Sequence, residues 1–115
     1  LLAAMLCEIE RGPGFDAEVT GRHGKHVDAL RELVRDYPAE RVAPVVGVPA
    51  ASIRALALDF AAAPRASVHA STGINMGRQG TTAYWLMQML AFVTGNLDRE
   101  GGNVLSVGYY ERRAR

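Results

Sequence analysis

The sequence predicts an α/β fold, rich in helix and with a short, mostly parallel sheet. Three observations predict it. Several stretches repeat apolar residues at intervals of three and four, the spacing of helices with one buried face. Ser67 to Ser71 alternates small, polar and β-branched residues, as a short strand does. Between that stretch and an apolar run from Thr81 to Thr94 stand Gly73, Gly77 and Gly80, so strand, glycine-rich turn and helix start follow one another. In open α/β folds ligands sit at such a turn, because strand ends open into a crevice and the free N–H groups of a helix start attract anions.

Composition narrows the class. A chain of 115 residues, 49% apolar and 22% charged, suits one globular domain, and a net charge of +1 gives no reason to expect a nucleic-acid partner. Its one basic cluster, Arg112, Arg113 and Arg115, reads as a solvated end. The single cysteine, Cys7, excludes an internal disulfide and any zinc or iron–sulfur site built from this chain's cysteines alone. Cys7 reads as a small buried hydrophobe. The opening Leu1-Leu-Ala-Ala-Met-Leu reads as the middle of a helix, too short for a membrane span and lacking the basic flank of a leader. We therefore expect residues 1–115 to form a single partial domain of a longer chain, with no membrane contact from this segment.

In order, Leu1 to Arg11 reads as a helix with Leu2, Leu6 and Ile9 on one face, stopped by Gly12-Pro13-Gly14. Phe15 to Gly24 has little period and reads as a loop. Val27, Leu30, Leu33 and Val34 mark an amphipathic helix that ends at Tyr37-Pro38. Pro38 and Gly47 bracket a helix of about two turns, since proline suits a helix start and glycine the residue past its end. The next helix, from Val48-Pro49-Ala50, carries Ile53, Leu56, Ala57 and Phe60 as its stripe and stops at Pro64. The run from Thr81 is apolar nearly all round, with Trp85, Leu86, Leu90 and Val93, and predicts a central, buried helix. Gly95-Asn96 caps it, Leu97 to Asn103 is a turn-rich loop holding Gly101-Gly102, and Val104 to Tyr110 reads as a second short strand. Gly101-Gly102 require either a positive φ or close backbone approach.

No nucleophile–base pair stands out, and no catalytic residue is assigned. The carboxylates are scattered as solvated ones are, and His23 and His26 lack a third ligand. His69 reads as an ordinary strand histidine. No Gly-Lys-Ser/Thr follows the turn, and the glycine spacing does not match the dinucleotide fingerprint.

Several stretches taken together point further. Tyr37 through Ala55, Thr72-Gly-Ile-Asn-Met76, Gly80-Thr81 and Val93-Thr-Gly-Asn-Leu-Asp-Arg-Glu-Gly-Gly102 resemble, in content and order, the molybdopterin oxidoreductases of the dimethyl sulfoxide reductase family. The resemblance covers residues 37–103 best and marks an internal part of the catalytic subunit. It implies a helix-rich fragment of a central cofactor-binding α/β domain. The implied cofactor, in the full-length protein, is a bis-molybdopterin guanine dinucleotide holding molybdenum or tungsten.

Carried over residue by residue, the family's Met-Gly-x-x-Gln/His turn falls on Thr72, Gly73 and Met76. Thr72 and Met76 depart from it, and Met76 has no amide to donate, so a contact there is apolar or through backbone. Asn75 and Arg78 are the polar neighbours that compensate, and Gly101 and Gly102 match the glycine loop after the helix. The resemblance places the metal's protein ligand in another segment, with any iron–sulfur cluster elsewhere in the parent chain. It implies as partners the remaining domains of that chain and an electron-transfer subunit. Substrate and compartment, cytoplasmic or periplasmic, are left open. The competing expectation is a structural domain of the same fold without cofactor, as in the large subunit of respiratory NADH dehydrogenase.

Overall fold

The structure, a computed structural model, describes residues 1–105. Seven helices follow one another: α1 (Leu2–Arg11), α2 (Ala17–His23), α3 (Val27–Arg35), α4 (Ala39–Val46), α5 (Ala50–Ala62), α6 (Thr72–Asn75) and α7 (Gly80–Val93). Among the described residues there is no strand and no sheet, only an isolated bridge between Leu97 and Asn103. The α/β expectation is therefore corrected to an all-helical architecture. Residues 66–71 belong to no helix, Ser71 is extended at φ −88° and ψ 175°, and among the described residues no strand pairs with them. Alternation of side chains reports an extended backbone; it does not report what lies alongside. Val104 and Leu105 are not in a strand, and the rest of the expected Val104–Tyr110 strand lies outside the described residues, as does the arginine cluster.

The middle of the molecule belongs to α1. Six consecutive residues, Ala4 through Glu8 to Ile9, are buried, so this helix is covered on every side over its middle turns. It packs against α5, α3, α7 and α4. Leu6, Ile9, Leu30, Val34, Ala57, Leu90 and Val93 form the main core with Phe15, and Ala4, Ala39, Val42 and Ile53 form a smaller one under α4. Burying such side chains contributes about 1.5–3 kcal/mol for each large one.

That arrangement corrects the place given to α7. Its inner face, Met87, Leu90, Ala91 and Val93, is buried, but Tyr84 and Trp85 are 45% and 41% exposed. A helix apolar on all sides carries almost no directional signal, so the sequence cannot tell its core face from its outer face. Leu56 of α5, placed on the buried stripe, is likewise 49% exposed.

Phe15 to Gly24 is also corrected, from loop to the cap and body of α2. The Asp16 carboxylate accepts from Val19 N at 2.9 Å, Glu18 stands in the first turn, and Arg22 and His23 stand in the last. Charge and capping make this helix where apolar spacing does not. The remaining helix ends follow the sequence. Pro38 stands at the N-cap position of α4, Gly47 closes it at φ 70°, and the chain turns by 113° into α5. Gly95 takes φ 68° and Asn96 N donates back to Ala91 O at 2.7 Å, ending α7 in a Schellman turn.

Candidate functional site

The turn between the extended segment and α7 is built differently from the expected simple loop. Four residues, Thr72 to Asn75, wind into α6, and a bend of four more leads to α7. Gly80 is what lets α6 lie against the start of α7. A Cβ there would stand 2.6 Å from the Asn75 carbonyl oxygen, which is backbone and cannot swing aside. Gly73 has a helical rather than a positive φ, and a Cβ built on it meets nothing within 4 Å. Nothing among the described residues explains its glycine.

Five of the seven predicted site residues come together here: Thr72, Gly73, Asn75, Met76 and Arg78, all exposed, with Met76 79% open. The start of α7 has no side-chain cap and no acidic residue in its first turn. Among the described residues, the N–H groups of Thr81 and Thr82 have no hydrogen-bond partner. Asn75, Gly80, Thr81 and Tyr84 line a hollow of about 360 Å³ beside that start. Between Asp59 and Asp98 the sequence has no carboxylate at all, while Arg65 and Arg78 are cationic. Sequence reasoning missed that gap, although it was countable. Free N–H groups, a cation and the absence of competing acids fit an anionic group laid across the surface. The donors present here are thus of a kind that suits a phosphate-bearing group.

Gly101 and Gly102 lie elsewhere, at the far end of the extended segment. Gly101 lies against Arg65 and Gly102 against Asn96, and neither lines the hollow beside the start of α7. The expected backbone reasons for both glycines are present. Gly101 has φ 81°, and its Cβ would stand 2.6 Å from Cδ of Arg65, whose stem crosses it. A Cβ on Gly102 would fall 2.2 Å from the Asn96 carbonyl oxygen. Internal packing therefore accounts for both.

Asn103 is the residue the sequence reading passed over, and Asn96, read only as part of a helix cap, does more than that. Asn96 is 2% exposed; its Oδ1 accepts from Ala66 N at 3.1 Å and its Nδ2 donates to Thr94 O at 3.2 Å. Asn103 meets Val68 twice, Oδ1 accepting from Val68 N at 2.9 Å and Nδ2 donating to Val68 O at 2.7 Å. The signal available was the Gly-Asn step after each turn, a pattern of residues that bond backbone locally.

A larger cleft of about 700 Å³ opens between the start of α1, α4, the extended segment and α7. Tyr37, Val45, His69, Ile74 and Leu86 are among its walls, and none of the seven predicted residues is. His69 is exposed at its edge. Such an apolar lining suits hydrocarbon rather than polyanion. Cys7 is buried inside α1, where loss of water pushes its thiol up from the ordinary value against the opposing charge of Arg11, leaving it a poor ligand or nucleophile. Among the described residues no three His, Cys, Asp or Glu side chains gather as metal ligands, and no single helix is long and apolar enough to cross a membrane.

No family model matches the chain, and no curated protein matches it. Among solved structures it is similar to acetylene hydratase from Pelobacter acetylenicus, with a TM-score of 0.75 and 26% sequence identity. The likeness covers 82% of this chain and 13% of that one, so the chain spans a small part of the enzyme it resembles.

Proposed function

We propose that this chain is one wall of the cofactor site of a larger molybdopterin-dependent enzyme of the dimethyl sulfoxide reductase family. The observation that carries the reading is the exposed α6–α7 turn: an uncapped helix start beside Asn75 and Arg78, in a stretch free of carboxylates. The motif resemblance supplies the cofactor class, and the similarity to part of an enzyme supports an enzyme as parent. That neighbour's name denotes a hydratase, so the redox character rests on the motifs alone.

In this reading Thr72, Asn75 and Arg78 offer a hydroxyl, an amide and a guanidinium to a molybdopterin guanine dinucleotide holding molybdenum or tungsten. Gly73 keeps the surface flat, Met76 gives an apolar contact, and the loop at Gly101-Gly102 meets a more distant part of the same long ligand. When bound, the group supplies the metal centre where electrons are exchanged with substrate. This chain binds and orients it and holds no catalytic residue. The remaining domains of the parent chain complete the site, any iron–sulfur cluster lies there too, and an electron-transfer subunit is the external partner.

Metal and pterin analysis of the purified full-length protein tests this. Stoichiometric molybdenum or tungsten with pterin is expected, and none of either in residues 1–115 expressed alone. A full-length protein free of both metal and pterin would leave the structural domain, which the departures at Thr72 and Met76 already favour.

A further inference from the structure

We infer that Asn96 and Asn103 are positioning residues that fix the α6–α7 turn relative to the Gly101-Gly102 loop, an inference that rests on the function proposed above. The extended segment 66–71 is the only direct lead from α5 into α6, and it has no neighbouring strand among the described residues. Extended backbone without partners drifts, because nothing repays the entropy of holding it. Here an asparagine side chain substitutes for the neighbour. A carboxamide presents one N–H donor and one C=O acceptor side by side, as a peptide group does, and Asn103 aligns both with Val68, at 2.7 and 2.9 Å. Asn96 takes the Ala66 N–H at 3.1 Å.

The two asparagines are themselves joined. Asn103 N donates to Asn96 O at 2.8 Å, and Asp98 N donates to Asn103 O at 2.7 Å. The 2.2 Å approach described for Gly102 falls on that same Asn96 oxygen, so the glycine is required for the clasp to close. Asn96 is in turn anchored to the end of α7 through Ala91 O and Thr94 O. The loop after α7 thus grips the segment before α6, and both halves of the proposed wall move as one body. Neither asparagine touches the ligand in this account.

The test uses the full-length protein with Asn103→Ala and Asn103→Asp. Two readouts are taken: hydrogen exchange by mass spectrometry over residues 66–71, and pterin and metal content. Removing two bonds should speed exchange of the Val68 amide by about tenfold or more while leaving α1 unchanged. Asn103→Asp, which keeps the acceptor and loses the donor, should fall between Asn103→Ala and wild type. Pterin content should fall in the same order. Unchanged exchange over 66–71 in Asn103→Ala would overturn the clasp. Faster exchange with full pterin would overturn its role in positioning. Wild-type protein that exchanges as expected but never holds pterin would overturn the cofactor reading and leave the clasp standing.

Discussion

Glu8 and Ala39 are joined across 31 positions of sequence: Oε1 of the buried Glu8 carboxylate accepts from Ala39 N at 2.9 Å. A side chain on α1 thus caps α4, which has no cap of its own because Pro38 occupies the N-cap position. The other oxygen accepts from Arg54 Nε at 3.1 Å, and Arg54 also pairs with Glu40, so one carboxylate ties α1, α4 and α5 together. Glu8→Ala should therefore destabilise the fold by about 1–3 kcal/mol, the cost of a lost cap and an unsatisfied buried N–H. Glu8→Gln, which keeps an acceptor, should cost less. Urea midpoints for the two variants check the order, and equal midpoints would refute the capping role.

The same network sets an acid limit. The first-turn backbone of α4 and then Arg54 hold the Glu40 carboxyl below its ordinary value of 4.5. A carboxyl whose folded pKa is depressed stabilises the fold above its unfolded pKa, and that share is lost as pH falls from about 4.5 through the lower folded value. Stability measured across that window should decline less steeply in Glu40→Gln than in wild type. Identical slopes would show that Glu40 gains nothing on folding.

The two faces of α7 give a matched pair. Leu90 is 1% exposed and Trp85 41%. Leu90→Ala should cost about 2–5 kcal/mol, the range for a buried leucine leaving a cavity. Trp85→Ala should cost below about 1 kcal/mol, as exposed positions do. Denaturation midpoints read both, and a Trp85→Ala cost equal to that of Leu90→Ala would place Trp85 in the core after all.

How far the sequence could be read follows from which forces leave a local trace. Gly47 and Gly95 were legible as helix ends because a positive φ is a property of one residue. The helices carrying Leu6, Leu30, Val34 and Ile53 were legible because their apolar spacing repeats. The position of α1 at the centre was not, since a charged residue such as Glu8 reads as an exposed face, while its partners, Ala39 and Arg54, are distant in sequence. Val68 misled for a related reason. Its side chain and neighbours fix an extended backbone, but its bonding partner, Asn103, lies 35 positions away. At the candidate site, Thr72, Gly73, Asn75, Met76 and Arg78 do share one surface because they are neighbours in sequence. Gly101 and Gly102 read correctly as needing a positive φ or a close backbone approach, but the groups that approach them, Arg65 and Asn96, leave no trace in the spacing.

The glycines allow fold and site to be separated in one experiment. A side chain at Gly102 must meet the Asn96 carbonyl oxygen, so Gly102→Ala should destabilise the chain by about 1–3 kcal/mol or more, as forced overpacking does. Gly73 faces open space at a helical φ, so Gly73→Val should change stability by less than about 1 kcal/mol, the spread of helix preferences. In the full-length protein the order should reverse for the ligand. Gly73→Val adds an isopropyl group to the open surface where Asn75 and Arg78 are proposed to receive a cofactor, and its pterin and metal content should fall well below wild type while the thermal midpoint holds. Normal cofactor content in a folded Gly73→Val protein would mean that nothing approaches the α6 surface there, and the assignment of Thr72, Gly73 and Asn75 to the site would be wrong.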